Sequence, residues 1–166
     1  PFELGIIRNH YVGRTFIEPS QNIRQFGVKL KHSVNRSCIQ NKKVILIDDS
    51  IVRGTTANKI VKMVYEAGAK EVHLAISCPP IKFPDFYGID TPNFNELIAY
   101  KNDIKKMTKL VGASSLFFLS LDGTYKAMGF KKRNKMNPQF SDHCFTGDYP
   151  IDVSEIKQFH QKNYEN

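Results

Sequence analysis

Asp48 and Asp49 stand side by side at the end of an apolar run, Val44-Ile45-Leu46-Ile47. Ser50, Ile51, Val52, Arg53, Gly54, Thr55 and Thr56 follow them. A buried strand gains nothing from ending in paired charges unless a ligand meets them there. Two carboxylates suit sugar hydroxyls, or a hard cation such as Mg²⁺ that takes further oxygens from a substrate. The loop after them offers the opposite chemistry. A strand-to-helix loop presents backbone N–H groups and the positive end of a helix dipole. Gly54 lets the backbone approach an anion, and the hydroxyls of Ser50, Thr55 and Thr56 add donors. Charge-assisted bonds contribute roughly 1.5–3 kcal/mol each, so a handful holds one phosphate monoester. A phosphate on one side and a diol or a cation on the other describe a ribose 5-phosphate. The stretch is neither GxxxxGK[ST] nor GxGxxG, and acids before a Gly-Thr loop also occur as plain turns.

The elements that position these residues are legible in part. Residues 44–48 read as a strand and 57–67 as a helix with Ile60, Val61, Val64 and Ala67 on one face, stopped by Gly68. Residues 71–78, ended by Pro79-Pro80, read as a second strand, which makes a β-loop-α-β unit with a right-handed crossover. Two short helices broken at Asn102-Asp103 are expected over 93–111, a third strand over 115–120 and a short helix over 121–128. Ser20 reads as the cap of a helix running through NIRQFGVKLKHSV. From Lys131 the chain turns polar, basic and turn-rich, an extended tail with a last helix over 154–162. Strands alternating with helices give an α/β class with a mostly parallel sheet, and ligands of such sheets sit beyond the strands' C-terminal ends.

Composition excludes several classes. No apolar run approaches the roughly 18–20 residues of a membrane-spanning helix, and the start, PFELGIIRNH, lacks the basic region and cleavage site of a signal peptide. It also lacks an initiator Met, so Pro1 reads as a cut or processed end. Cys38, Cys78 and Cys144 are odd in number and widely spaced. Neither a disulfide framework nor a zinc site is expected, and the compartment reads as reducing and cytoplasmic. Cys38 and Cys78 read as small buried residues. None of the five histidines has metal-ligand spacing; His10 reads as a surface residue and His73 as structural. The formal net charge is +8, and residues 1–43 carry eight Lys and Arg against Glu3 and Glu18. This bias points to an anionic partner or to a solvated basic face. RNA would want aromatics interleaved with the basic residues; none are, so no nucleic acid is expected.

VILIDDSIVRGTT resembles the phosphoribosyl pyrophosphate (PRPP) motif of type I phosphoribosyltransferases. RNHYVGRTFI at 8–17, EAGAKEVH at 66–73 and FYGIDTP at 86–92 are similar to the glutamine amidophosphoribosyltransferase family, from about residue 1 to about residue 149. The resemblance implies a partial phosphoribosyltransferase domain over 1–130, with a lid-like segment at 1–19 and the PRPP loop at 44–56, followed by a tail at 131–166. It implies that Asp48 and Asp49 meet the ribose hydroxyls and Mg²⁺ and that Ser50 to Thr56 wrap the 5-phosphate. It implies further that Arg8, Asn9, Tyr11 and Arg14 belong to the closing loop, Arg8 and Tyr11 being the catalytic candidates and Arg8 binding pyrophosphate where Lys is common.

The departures are equally specific. Nothing matches the family's glutaminase domain, its pyrophosphate loop or the early strands of its transferase sheet. The sheet is therefore expected to be incomplete on its N-terminal side, with an exposed apolar edge and face and a tendency to self-associate. One branch of the family carries an iron–sulfur cluster on four cysteines; at the implied positions this chain has Asp85, Ser141 and Cys144. No cluster is expected, since one thiolate cannot hold it. Three readings follow: the transferase half of an amidophosphoribosyltransferase of purine biosynthesis, a truncated and inactive module that binds PRPP or a purine nucleotide, and another phosphoribosyltransferase or PRPP-sensing regulator.

Overall fold

The computed structural model describes residues 2–8, 32–89, 91 and 93–154. Its centre is a three-stranded parallel sheet in the order β3-β4-β5, with β3 at Lys43–Asp48, β4 at Glu71–Ile76 and β5 at Ser115–Phe118. Lys43 pairs with Glu71 and Asp48 with Ile76, so the two strands end level. The β-branched residues of KVILID and EVHLAI favour this pleated geometry.

Helix α2, Thr55–Glu66, crosses from β3 to β4, and α4, Ile104–Val111, leads into β5. Both lie on one face of the sheet. There Val61, Val64, Val72, Leu74, Met107 and Val111 are at most 1% exposed. Fully burying a side chain of this size contributes roughly 1.5–3 kcal/mol. Asp103 caps α4 by accepting the N–H of Lys106 at 2.7 Å, and Gly112 ends it in a left-handed turn at φ 76°. Asn58 Nδ2 ties the two helices together through the carbonyls of Leu110 and Val111, at 3.1 and 3.3 Å. Between them come the 3₁₀ turn Phe94–Glu96 and the short helix α3, Ile98–Lys101.

The other face of the sheet is open. Ile45, Ile47 and Phe117 are 69%, 67% and 63% exposed. Parallel sheets are ordinarily covered on both faces; among the described residues nothing covers this one.

A second, antiparallel pair was not anticipated. β1, Ile6–Arg8, pairs with β2, His32–Val34, in the register Ile6 to Val34 and Arg8 to His32. The helix expected from Ser20 therefore does not continue to its far end: His32–Val34 is a strand, since Val34 packs against the core alongside Ile6. The rest of that helix, with Asn9, His10, Tyr11 and Arg14, lies outside the described residues, as does the final helix beyond Ser154. A short helix α1, Arg36–Ile39, links β2 to β3.

Other boundaries shift for local reasons. The first crossover helix begins at Thr55 and not at 57, because Gly54 supplies its start. β4 stops at Ile76; the N–H of Ser77 makes the last ladder bond, to the carbonyl of Asp48 at 3.0 Å, and Pro79 and Pro80 follow. β5 stops at Phe118, and Ser120 instead caps α5, Leu121–Ala127, by accepting the N–H of Gly123 at 3.0 Å. Cys38 and Cys78 are half-buried against the core and not fully enclosed.

The stretch after Lys131 is no loose extension as far as it is described. Arg133 reaches Asp142 from Nε at 2.6 Å and from Nη2 at 3.0 Å, and Asp148 from Nη2 at 2.6 Å. The hydroxyl of buried Tyr125 donates to Asp142 at 2.8 Å. Helix α6, His143–Thr146, then docks on the 79–89 loop. The N–H groups of Lys82 and Phe83 both donate to the carbonyl of Cys144, and Tyr149 donates to the carbonyl of Pro84. A polar composition suggested a tail because the ion pairs that bury it are invisible until the fold brings them together.

Candidate functional site

Asp48 is the last residue of β3, on the same side of the sheet as Val44 and Leu46, and is half-buried. Burial pushes its carboxyl above the usual aspartate range; the N–H of Asp49 opposes this, the Asp49 charge adds to it, and His32 opposes it. Asp49 is exposed and donates its N–H to Asp48 Oδ1 at 3.0 Å. Its own Oδ1 accepts the hydroxyl of Ser50 at 3.2 Å. These bonds use Oδ1 of each acid and leave Oδ2 as the oxygen for a ligand. Two adjacent carboxylates, one of them exposed, fit a hard cation that completes its shell with substrate and water oxygens. Among the described residues no cluster of three or more His, Cys, Asp or Glu is placed to hold a metal alone.

The loop is held at three points. Ile51 is buried at 3% exposure and pins it to the core. The carbonyl of Val52 accepts the N–H of Ile98 at 2.9 Å. Arg53 is paired with Glu96, with Nε and Nη2 at 3.2 and 3.0 Å from Oε2. Gly54 then takes φ 79°, and a Cβ there would sit 2.6 Å from Ile98 Cδ1. It stands at the start of α2 with no side-chain cap, so the first-turn N–H groups of Thr55 and Thr56 open at the end of the loop. The loop therefore carries donors at its helix end and carboxylates at its strand end.

Asp48 ends β3, Asp49, Ser50, Ile51, Val52, Arg53 and Gly54 make the loop, and Thr55 and Thr56 open α2. Arg8 has its backbone in β1, and Tyr11 lies outside the described residues, so neither is joined to the loop by a described contact. Cys78 lies within electrostatic reach of the loop. Its thiol is pushed up to about 11, by burial first and then by Cys144, Asp49 and Asp48. Glu96 is the member of the site that sequence reading missed; an exposed acid 43 residues from Arg53 carries no local signal.

No protein-family model matches the chain. An amidophosphoribosyltransferase of Rhizobium etli is 64% identical over 151 residues, 90% of this chain and 30% of the relative. The chloroplastic amidophosphoribosyltransferase 1 of Arabidopsis thaliana is 52% identical over 157 residues, 95% of this chain and 27% of the relative. The chain is a homologue of the amidophosphoribosyltransferases. It spans about 30% of the length of those curated relatives and matches their C-terminal phosphoribosyltransferase part. Among solved structures, glutamine PRPP amidotransferase from B. subtilis, complexed with ADP and GMP, superposes with a TM-score of 0.78 at 49% identity. That match covers 93% of this chain and 34% of the solved one. The α/β fold with its parallel sheet is therefore that of the phosphoribosyltransferase domains of PRPP amidotransferases.

The positions implied for cluster ligands hold a different arrangement. His143 Nε2 lies 2.7 Å from Asp85 Oδ2, and His143 Nδ1 lies 3.0 Å from Ser141 Oγ. Asp85 also accepts the N–H groups of Tyr87 and Ile89, at 2.8 and 3.0 Å. Burial pushes the Asp85 carboxyl up, but the two N–H groups and His143 outweigh it and hold it below the usual range. Tyr149 stacks on the His143 ring with 5.1 Å between centroids.

Proposed function

We propose that this chain is the PRPP-binding part of an amidophosphoribosyltransferase of purine biosynthesis, a pentosyltransferase that converts PRPP and glutamine-derived ammonia into 5-phosphoribosylamine and pyrophosphate. The observation that supports it is the placement of Asp48 and Asp49 at the end of a parallel strand, joined by one loop to the open start of α2. Ser50 to Thr56 offer N–H groups and hydroxyls to the 5-phosphate. Asp48 and Asp49 accept the ribose hydroxyls and would hold Mg²⁺.

In the reaction the nitrogen of ammonia bonds to C1 of the ribose as the bond from C1 to the pyrophosphate oxygen breaks, and the amine loses a proton to solvent. Positive charge builds on the ring, as in glycosyl transfer, while negative charge builds on the departing pyrophosphate. Asp48 and Asp49 would hold a divalent cation, whose charge would offset part of that on the leaving group. Arg8 is the protein's own cation for the same purpose, and Tyr11 helps close the site against water. The B. subtilis neighbour is complexed with ADP and GMP, and purine nucleotides are proposed as further ligands of this chain. The open sheet face supports a homo-oligomer, and the compartment is taken as cytoplasmic. Among the described residues no helix is long and apolar enough to cross a membrane.

Calorimetric titration of the chain with PRPP and Mg²⁺ tests the reading. Binding that depends on Mg²⁺ and is lost in Asp49→Asn supports it; a folded chain that takes up no PRPP with Mg²⁺ overturns it.

A further inference from the structure

Away from the loop after β3, one side-chain cluster joins a hydroxyl, an imidazole and a carboxylate in line. Ser141 Oγ lies 3.0 Å from His143 Nδ1, and His143 Nε2 lies 2.7 Å from Asp85 Oδ2. Asp85 Oδ1 accepts the N–H groups of Tyr87 and Ile89. A carboxylate that only accepts draws the imidazole proton to Nε2, which leaves Nδ1 as the acceptor for the Ser141 hydroxyl. The side chains of His143 and Asp85 are 6% and 5% exposed, so water competes little for the bond between them. Ser141 itself is exposed. The ring is held by two aromatic neighbours: Tyr149 stacks on it and Tyr87 meets it edge to face, each with 5.1 Å between centroids. Asp142, between Ser141 and His143, is fixed by Arg133 and Tyr125. A similar line, Ser115, His73 and Glu71, lies on the open sheet face. Its acid is 38% exposed and shared with Lys43 at 2.6 Å, so it holds the imidazole less firmly.

We propose that Ser141 is an activated nucleophile and a site of covalent acylation, with His143 as its base and Asp85 as the residue that positions His143. A serine hydroxyl is a weak nucleophile until a neighbouring base takes its proton. The roles are those of a Ser-His-Asp triad with the two ring nitrogens exchanged. The acyl donor is an activated ester, either a thioester or an aryl ester. Ser141 Oγ bonds to the carbonyl carbon as its proton passes to His143 Nδ1. The bond from that carbon to the leaving sulfur or oxygen then breaks, and the leaving group takes the proton from Nδ1. His143 is returned neutral, and nothing is oxidised or reduced. The exposed rings of Phe140, next to Ser141 in the chain, and Tyr87, against the imidazole, offer apolar surface to a small donor. The cluster shares no residue with the stretch from Asp48 to Thr56 and goes beyond the proposed PRPP reading without resting on it.

The full chain is incubated with 4-nitrophenyl acetate, and acetylation is followed residue by residue by peptide mass spectrometry. Ser37 and Ser120 are exposed references within the same molecule; the first donates its hydroxyl to Asn35 and the second accepts the N–H of Gly123. Acetylation of Ser141 at least about tenfold faster than of either reference is expected, a modest part of what general-base assistance supplies. The advantage should vanish in His143→Gln and in Asp85→Asn, each first shown by a thermal melt to be folded. Asp85→Asn reads positioning, because it keeps the shape of the side chain and removes the charge that fixes the ring proton. If neither variant folds, the wild type in urea takes their place, where the advantage should vanish with the cluster. The proposal is overturned if Ser141 reacts no faster than the references, or keeps its advantage in a folded His143→Gln chain or in urea. The assay contains neither PRPP nor Mg²⁺, so its outcome is separate from that of the PRPP titration.

Discussion

Arg53 places two guanidinium nitrogens on one oxygen of Glu96, at 3.2 and 3.0 Å, and so ties the loop after Asp48 and Asp49 to the 3₁₀ turn at Phe94–Glu96. The side chains are 32% and 53% exposed, and a pair this accessible contributes less than about 1 kcal/mol. Its importance is positional. Glu96→Gln is expected to lower stability by less than about 1 kcal/mol in urea melts. The same variant is expected to weaken Mg²⁺-dependent PRPP binding several-fold in calorimetry, because the loop loses its tie to the turn. Unchanged affinity would show that the pair does not position the loop.

Gly54 has two independent reasons to be glycine. Its φ of 79° costs other residues roughly 1–2 kcal/mol. A Cβ would also meet Ile98 Cδ1 at 2.6 Å, and overpacking of that kind costs about 1–3 kcal/mol. Gly54→Ala should therefore lose about 2–5 kcal/mol by denaturant unfolding. Adding Ile98→Val, which removes the Cδ1 atom, should restore the steric part only. Full restoration would mean that the backbone conformation carries no cost.

Asp48 should trade stability for binding. Its carboxyl is raised in the folded chain, so its contribution is most favourable below the ordinary aspartate pKa and is lost as pH rises through the folded value. At neutral pH the charged form is the costly one. Asp48→Asn should raise the melting temperature by about 1–2 °C at pH 7, a modest figure because the group is half-exposed, and should abolish Mg²⁺-dependent PRPP binding. A lower melting temperature would count against burial as the dominant cause.

The docked stretch after Lys131 should release in acid. Asp85 and Asp142 are both pushed up by burial, but their partners outweigh it and hold them below the usual range. Stability from groups lowered in this way is present above the unfolded pKa and is lost as pH falls through the folded one. The chain contains no Trp and seven Tyr, so the part of the tyrosine fluorescence that is lost in Tyr125→Phe and Tyr149→Phe variants reports on this stretch. A change in that emission below about pH 4, before the sheet unfolds by circular dichroism, is expected. A single coincident transition would contradict it.

Asp142 should matter more than its partners. Tyr125→Phe removes one buried hydrogen bond and should cost about 1 kcal/mol. Asp142→Ala leaves the Arg133 guanidinium, 11% exposed, without its main partner and should cost about 3 kcal/mol or more. Chemical denaturation of the two variants checks the order, which reverses only if Asp148 alone can hold Arg133.

What the sequence revealed and what it hid divide along a physical line. KVILID, EVHLAI and SLFF are dense in β-branched and aromatic residues, and the apolar face of 55–66 repeats at helical spacing, so the sheet and its crossover were readable locally. Paired acids before a glycine-containing loop marked the site for the same reason. The pairing of Ile6 with Val34, of Arg53 with Glu96 and of Arg133 with Asp142 depends on the folded arrangement, and a polar stretch such as 131–148 looks solvated until its partners are known. His143 is the sharpest case: in sequence it is one of five histidines, in the fold it is a buried ring bonded to Asp85 and Ser141.

The β1–β2 pair has a consequence for chain length. Arg8 and His32 stand opposite each other in register, so pairing them carries the entropic cost of joining two points distant in sequence, which is the cost of closing a loop. The entropy of closing such a loop grows only with the logarithm of its length, about 0.6 kcal/mol for each doubling. Insertions between Arg8 and His32 should therefore cost little stability, whereas a substitution that unpairs Ile6 from Val34 opens the ring altogether. Variation in length is cheap in that stretch, and variation at its two anchors is not.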